Sequence, residues 1–408
     1  MKKKILLSAY ACEPEEGSEH GIGWGWINFL VKNNFKVEVI TRLSNKAKIE
    51  KHLKKNNIKN IIFHYYDIKG FIYRILKSKN NSHTYLYFII WQFMIFYTYR
   101  NYIKKNNFDF IQHVTFASTR FPSFLGLCHK NFLFGPVAGL ENIPIQLIKT
   151  FNFKEKITEI IRFISNFYTH FSPLMNLTFL TSKKILISSD SNFNKISKIY
   201  QKKTKIIFAT RLIKKFLKKP VNIKLNYKNE FKILFVGRLE SWKGINIILE
   251  TFYKLNNLNT KKKFKLLIRG DGPLKKKIKE FIYINQLKNK IILLPRSKNL
   301  VDLYSEASLF FFPSLRETGG MALLESMSVG VPPAVINNGG PGIIVKRNCG
   351  IVVNHIRKNE NQVINSFVNK ILDLSNNRNK AILYSKNSHK RVDEFIWSKK
   401  LLKIYNLK

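Results

Sequence analysis

The sequence predicts an α/β fold built from two Rossmann-like domains, and three observations carry that expectation. Short apolar runs alternate with longer amphipathic stretches along the chain, the pattern of parallel sheets covered by helices. The same strand–helix grammar restarts in the second half. The 408 residues exceed one ordinary core and suit two domains of roughly 200 residues each. A hydrophobic fraction of 45% excludes disorder and supplies apolar surface for two cores.

In the first half, strands are expected at Lys4–Ser8, Lys36–Thr41, Asn60–Tyr65, Phe108–His113, Phe132–Phe134 and Lys184–Ser188. Each is a short apolar run bounded by polar or turn residues. Helices are expected at Gly21–Asn33, Asn45–Lys55 and Phe71–Lys105. The stretch Leu212–Leu225, Lys-rich with Pro220 and no clean period, reads as the linker or its approach.

In the second half, strands are expected at Phe231–Val236, Lys263–Arg269, Ile291–Leu294, Leu309–Phe312 and from Pro333 to Val335. Helices are expected at Ile245–Leu255, after Gly270-Asp271-Gly272-Pro273, near Asn299–Ala307 and at Gly320–Val329. Two half-chains of this kind suggest domains facing each other, with ligands at the carboxyl ends of the strands.

The charge is extreme: 71 Lys and Arg against 25 Asp and Glu leave +46. Such a field favours polyanions: nucleic acid, an anionic membrane or phosphorylated ligands. Two readings stand. One is attraction to a lipid surface. The other is coding bias, since Lys is scattered over the whole chain beside abundant Asn, Ile, Phe and Tyr. No helix-turn-helix, zinc-finger or RNA-stacking signature supports nucleic acid.

Three cysteines, Cys12, Cys128 and Cys349, have no paired spacing, so neither a zinc site nor a disulfide framework is expected and a reducing cytosol fits. The start Met1-Lys2-Lys3-Lys4-Ile5-Leu6-Leu7 resembles a signal peptide only briefly. Glu13, Glu15 and Glu16 end the apolar region, so it reads as a buried first strand. The most apolar window, Tyr85–Tyr99, covers only about 22 Å as a helix, short of the ~30 Å hydrocarbon core. It reads as a buried helix first and an interfacial helix second.

Three elements carry chemistry. In Pro313-Ser314-Leu315-Arg316-Glu317-Thr318-Gly319-Gly320-Met321, a strand stops and a polar loop feeds two glycines into a helix. Glycines there allow close backbone approach, and first-turn amides favour anionic or hydroxyl-oxygen ligands. Glu317 precedes the helix and Glu325 lies about two turns on. Two acceptors so placed could grip hydroxyls of an extended ligand, or they could be an acidic cap and a solvated side chain.

The second element is Gly237-Arg238-Leu239-Glu240-Ser241-Trp242-Lys243-Gly244. The turn after a strand places Arg238 and Lys243 where both cations can converge on a diphosphate, Arg as a fork and Lys as a point charge. The third is Glu16-Gly17-Ser18-Glu19-His20-Gly21-Ile22-Gly23-Trp24-Gly25 after strand one. It is not G-x-G-x-x-G, which argues against a nicotinamide fingerprint, and no G-x-x-x-x-G-K-[ST] loop occurs. His113 closes a strand and could reach a ligand as hydrogen-bond donor or acid/base, or be a capped structural histidine. Gly135-Pro136-Val137 ends another strand similarly. No Asp-x-Asp occurs, so diphosphate charge would fall to Arg, Lys and helix ends.

In this order, the strand-one glycine loop, Gly-Arg-Leu…Lys-Gly at 237–244, Gly-Asp-Gly-Pro at 270–273, Glu-x7-Glu at 317–325 and Gly-Gly-Pro at 339–341 resemble the retaining glycosyltransferases of family four, with the GT-B fold. Ala11-Cys12-Glu13-Pro14, Gly23-Trp24 and His113-Val114-Thr115-Phe116 look like one bacterial branch. His20, where relatives often carry proline, and the doubled Pro332-Pro333 depart from the pattern.

The resemblance implies an acceptor-side domain at 1–215, a nucleotide-sugar-binding domain at 216–390, and a helix at 391–408, including Phe395-Ile396-Trp397, that crosses back to the first. Arg238 and Lys243 would bind the donor diphosphate. Glu317 and the amides of Gly319, Gly320 and Met321 would hold the sugar, and Glu325 the ribose. Gly21 would lie under the diphosphate and His113 near the transferred sugar. The donor would be a UDP- or GDP-sugar, with no metal or other cofactor, and the acceptor a glycan or lipid-linked hydroxyl. The expected place is cytoplasmic, with the anionic inner-membrane face as a partner. The rivals are a sugar-nucleotide epimerase or hydrolase of the same fold, a nucleic-acid-binding protein, and a non-catalytic peripheral membrane protein.

Overall fold

The computed structural model describes residues 2–16, 18–58, 60–69, 83–169, 171–208, 230–258, 260, 262–295, 299–396 and 399–405. The expected linker at Leu212–Leu225, the 215/216 boundary, the start of the Phe71–Lys105 helix and Trp397 lie outside them. Two compact units emerge. One groups Met1–Leu140, Phe163–Arg211 and Trp397–Lys408, and the other Glu141–Arg162 and Leu212–Ile396. The segment Glu141–Arg162, which the sequence reading leaves in the first domain, is grouped with the second unit.

In the first unit, β1 (Lys4–Ala9), β2 (Lys36–Thr41), β3 (Ile61–Tyr65), β4 (Phe110–Thr115), β5 (Phe132–Val137), β6 (Lys184–Ile187) and β7 (Thr204–Ile206) form a parallel sheet ordered β3-β2-β1-β4-β5-β6-β7. Both faces are covered, which is why its strands read as continuous apolar runs. Leu6 joins one core cluster with Phe88, Trp91 and Phe134, while Ile5 and Leu7 join another with Trp26, Val37 and Tyr405.

The apolar window falls in a helix at His83–Lys105. Phe88, Trp91 and Ile95 are fully buried, but Leu86, Phe93 and Tyr97 are about half exposed. The helix is therefore buried along one side only. Among the described residues, the C-terminal segment expected as a helix forms two 3-10 helices, Val392–Phe395 and Lys399–Tyr405. Tyr405 anchors it in the first unit's core, accepting from Trp26 Nε1 at 3.0 Å and donating to Gln112.

In the second unit, β8 (Glu230–Val236), β9 (Lys263–Arg269), β10 (Ile291–Leu294), β11 (Leu309–Phe312), β12 (Pro333–Ile336) and β13 (Ile351–Val353) form a parallel sheet ordered β10-β9-β8-β11-β12-β13. In both sheets the strand order reverses beside the unit's first strand.

Candidate active site

Ligands of doubly wound sheets bind outside the carboxyl ends of strands, at the point where strand order reverses. In the second unit that point lies between β8 and β11, so the loops 237–244 and 313–320 face each other there. Their approach depends on glycine. Gly244 has φ 75°, and a Cβ on it would lie 2.3 Å from the Pro313 carbonyl oxygen. A Cβ on Gly340 would lie 2.2 Å from the Thr318 carbonyl oxygen. Backbone bonds then lock the loops: Leu315 N–H donates to Trp242 O at 2.9 Å, and Gly340 N–H to Glu317 O at 2.8 Å. Asn338 Nδ2 adds a bond to Leu315 O at 2.6 Å.

These loops bring Lys243 and Glu317 together as an ion pair, their side chains only 12% and 17% exposed. Glu317 also accepts from Gly320 N–H at 3.3 Å. Burial pushes the Glu317 carboxyl up, but Lys243 and the Gly320 and Gly319 amides outweigh it and hold the pKa below the usual value. The carboxylate is ionised. The Lys243 ammonium lies 4.2 Å from the Trp242 ring centroid and 5.2 Å from that of Phe312. Beside the pair, Gly320 (φ 63°) caps the helix Met321–Ser328, whose first-turn amides have no intrahelical acceptor. A cation, a carboxylate and a helix N-terminus thus share one small space. They suit a ligand carrying both phosphate and hydroxyl oxygens.

The other expected site residues are placed differently. The Arg238 side chain is 70% exposed and pairs with Glu240. Glu325 is not a solvated side chain. It is buried and accepts from the Tyr304 hydroxyl at 3.1 Å. Burial and then the Glu325 charge raise the Tyr304 pKa well above its usual value, so that hydroxyl remains a donor.

In the first unit, Gly21 lies inside the helix Ser18–Lys32, and a Cβ there would meet Glu16 O at 2.5 Å. Glu19, in the same helix, accepts from Ala117 N–H at 3.0 Å. His113 is fully buried. Its Nε2 bonds to the Phe116 carbonyl at 3.0 Å, and its ring packs against Phe134 with 5.1 Å between centroids. Burial pushes its pKa down to about 4, with the Phe116 bond opposing. It is neutral near pH 7, with Nε2 bonded within the 113–116 turn.

A base whose folded pKa lies below its unfolded value of about 6.5 takes up a proton on unfolding. Stability is therefore fully present above about pH 6.5. It falls by up to about 1.4 kcal/mol per unit as pH drops through the window down to about 4. His113→Phe, which keeps a ring against Phe134, should flatten that dependence in denaturant melts recorded at several pH values. An unchanged slope would remove the neutral-histidine assignment.

The sequence reading passes over a set of residues beside the pair. Glu159 receives two bonds from Arg316 Nη1, at 2.8 and 2.7 Å, and Ser241 donates to Glu155. Arg316 also lies 5.1 Å from the Trp242 ring. Asn152, Glu155, Glu159, Arg162, Trp242 and Arg316 help line a cavity of about 410 Å³. The available signal was helical spacing after Phe153. The partners, distant in sequence, were not legible. Among the described residues, no three His, Cys, Asp or Glu side chains are grouped to hold a metal ion.

Residues 218–391 match the family described as Glycosyl transferases group 1. A glycosyltransferase of Methanocaldococcus jannaschii is 32% identical over 29% of this chain and 30% of its own length. The Escherichia coli UDP-Gal:alpha-D-GlcNAc-diphosphoundecaprenol alpha-1,3-galactosyltransferase is 30% identical over 41% of this chain and 44% of its own. The chain thus matches less than half the length of these relatives. In fold, it resembles the crystal structure of a Rickettsia africae glycosyltransferase, with TM-score 0.64, 20% identity and 99% and 98% of the two chains covered. The fold is GT-B, and the likenesses are those of a glycosyltransferase.

Proposed function

We propose that the chain is a retaining, metal-independent glycosyltransferase. It moves a hexose-type sugar from a UDP- or GDP-sugar to a hydroxyl of a glycan or lipid-linked acceptor, in cytoplasmic steps of cell-surface polysaccharide or lipopolysaccharide synthesis. The observation that carries this reading is the Lys243–Glu317 pair beside the N-terminus of the helix Met321–Ser328. The match of 218–391 to a glycosyltransferase family supports it. The E. coli relative, whose name specifies UDP-Gal and a diphosphoundecaprenol-linked acceptor, supports the substrate class.

In this mechanism Lys243 and the Met321 helix end face the diphosphate, and Arg238, exposed beside them in sequence, turns in to complete its neutralisation. Glu317, with the amides of Gly319, Gly320 and Met321, receives the sugar hydroxyls. Glu325, oriented by Tyr304, receives the ribose. The bond between the anomeric carbon and the phosphate oxygen breaks as the acceptor oxygen bonds to that carbon from the same face. The acceptor's proton passes to the departing phosphate oxygen, so no protein nucleophile is required. The charge that develops on the diphosphate is what these groups stabilise.

A thermal-shift screen of UDP-, GDP- and ADP-sugars tests the donor assignment. The matching donor should stabilise the protein by about 2.7 kcal/mol at a concentration one hundred times its Kd. No shift with any nucleotide sugar would remove it. Transfer should also survive chelation. Activity lost with EDTA and restored by Mg²⁺ or Mn²⁺ would contradict the metal-independent mechanism.

A further inference from the structure

The helix Phe153–Tyr168 is inside out. An amphipathic helix of a globular protein ordinarily turns its apolar stripe inward. Here Glu155, Glu159, Arg162 and Asn166, spaced along one side, are half-buried or buried. Glu159 is held by Arg316 and lies 3.7 Å from Arg162, while Glu155 accepts from Ser241. The outer side carries Phe153, Ile157, Ile160, Ile161, Ile164 and Phe167, which are between 40% and 80% exposed. The inner bonds fix this orientation, because a half-turn of the helix would expose its carboxylates and leave Arg316 without its partner. A contiguous apolar surface of this kind marks an interaction site.

Charge identifies the occupant. Lys149 and Lys154 are exposed and Lys156 is half-buried, whereas both carboxylates of the helix are turned inward and matched. The outer side therefore offers apolar groups flanked by cations, in a chain of net charge +46. Anionic lipid complements both features. A second copy would set lysine against lysine. The helix has 16 residues, about 24 Å, so it would lie in the interface. Among the described residues no helix is long and apolar enough to cross a membrane.

We propose that the helix Phe153–Tyr168 docks on the surface of an anionic bilayer, its apolar side entering the boundary between headgroups and acyl chains. The docking does not depend on sugar transfer. In the apolar window Tyr85–Tyr99, Trp91 is fully buried and faces no lipid, whereas Tyr85 is 54% exposed. The inner bonds of the helix reach Ser241 and Arg316, near neighbours of Lys243 and Glu317, so the docked helix is tied to the loops of the candidate site.

The test is flotation of the full chain with vesicles of phosphatidylcholine plus phosphatidylglycerol, and of phosphatidylcholine alone. The wild type should float with the mixed vesicles at low salt and at least about tenfold more weakly with the neutral ones. Roughly 0.5 M salt should weaken the anionic binding by screening. The Ile160→Glu/Ile164→Glu variant changes only exposed positions, so it should keep its melting temperature while losing at least about tenfold in vesicle affinity. Tyr283→Glu, at a position 85% exposed elsewhere, should bind like the wild type. Equal flotation of the double variant and the wild type would overturn the proposal. So would failure of the wild type to float at low salt, or a solution dimer that the double variant dissociates.

Discussion

Lys243→Ala should lower kcat/KM for sugar transfer by about 10²-fold or more, equivalent to ~2.7 kcal/mol of lost transition-state stabilisation. The ammonium pairs with Glu317 beside the start of the helix Met321–Ser328. Negative charge grows on the diphosphate as it departs, and a cation already held in a half-buried site stabilises that charge without reorganising. A structural effect must be separated from the chemical one, since removing Lys243 also leaves the Glu317 carboxylate without its counter-charge. Glu317→Gln keeps the shape and removes the charge. The Lys243→Ala/Glu317→Gln double variant should regain stability over Lys243→Ala while remaining as inactive. Recovery of activity in the double variant would mean the pair is a structural clasp. Arg238→Ala should likewise weaken donor binding, because its exposed guanidinium, paired with Glu240, has room to turn toward a diphosphate. Near-normal kinetics in both folded single variants would remove the diphosphate assignment.

Gly244→Ala should damage both stability and activity. Gly244 adopts φ 75°, which costs a residue with a Cβ about 1–2 kcal/mol, and the Cβ would lie 2.3 Å from the Pro313 carbonyl oxygen. Overpacking of that kind typically costs a further 1–3 kcal/mol or so. The atom struck is backbone, so relief requires the 313–320 loop to move and to carry Glu317 away from Lys243. The second unit's melting transition should fall by several degrees, and turnover should fall with it, whereas Leu383→Ala at an exposed position should alter neither. An unchanged transition and normal turnover would show that the two loops do not depend on this contact.

The strands were legible in the sequence because a buried parallel strand is a local signal, a short apolar run closed by turn residues. Lys36–Thr41, Lys263–Arg269, Ile291–Leu294 and Leu309–Phe312 have the bounds the sequence indicates. The glycine loops at 237–244 and 313–320 were legible for the same reason, since strand, turn and helix start are adjacent in the chain. The helices Phe153–Tyr168, Pro173–Thr181, Glu360–Asn376 and Arg378–Arg391 are not among those the sequence indicates, although Asn359 with Gln362 forms a capping box.

By itself, then, the sequence determined the α/β class, the positions of all the described strands except β7 and β13, and the loops where a ligand site could form. All of these follow from neighbours a few residues apart. Only the tertiary structure decided which charges meet and which faces are covered. Lys243 finds Glu317 across 74 residues and Arg316 finds Glu159 across 157. The first pairing assembles the candidate site. The second fixes the helix Phe153–Tyr168 with its apolar side outward. His113 becomes a neutral, buried ring for the same reason, since the surroundings that desolvate it come from other elements of the fold. Periodicity specifies that a helix has two faces, and only partners brought together by folding choose which one is buried.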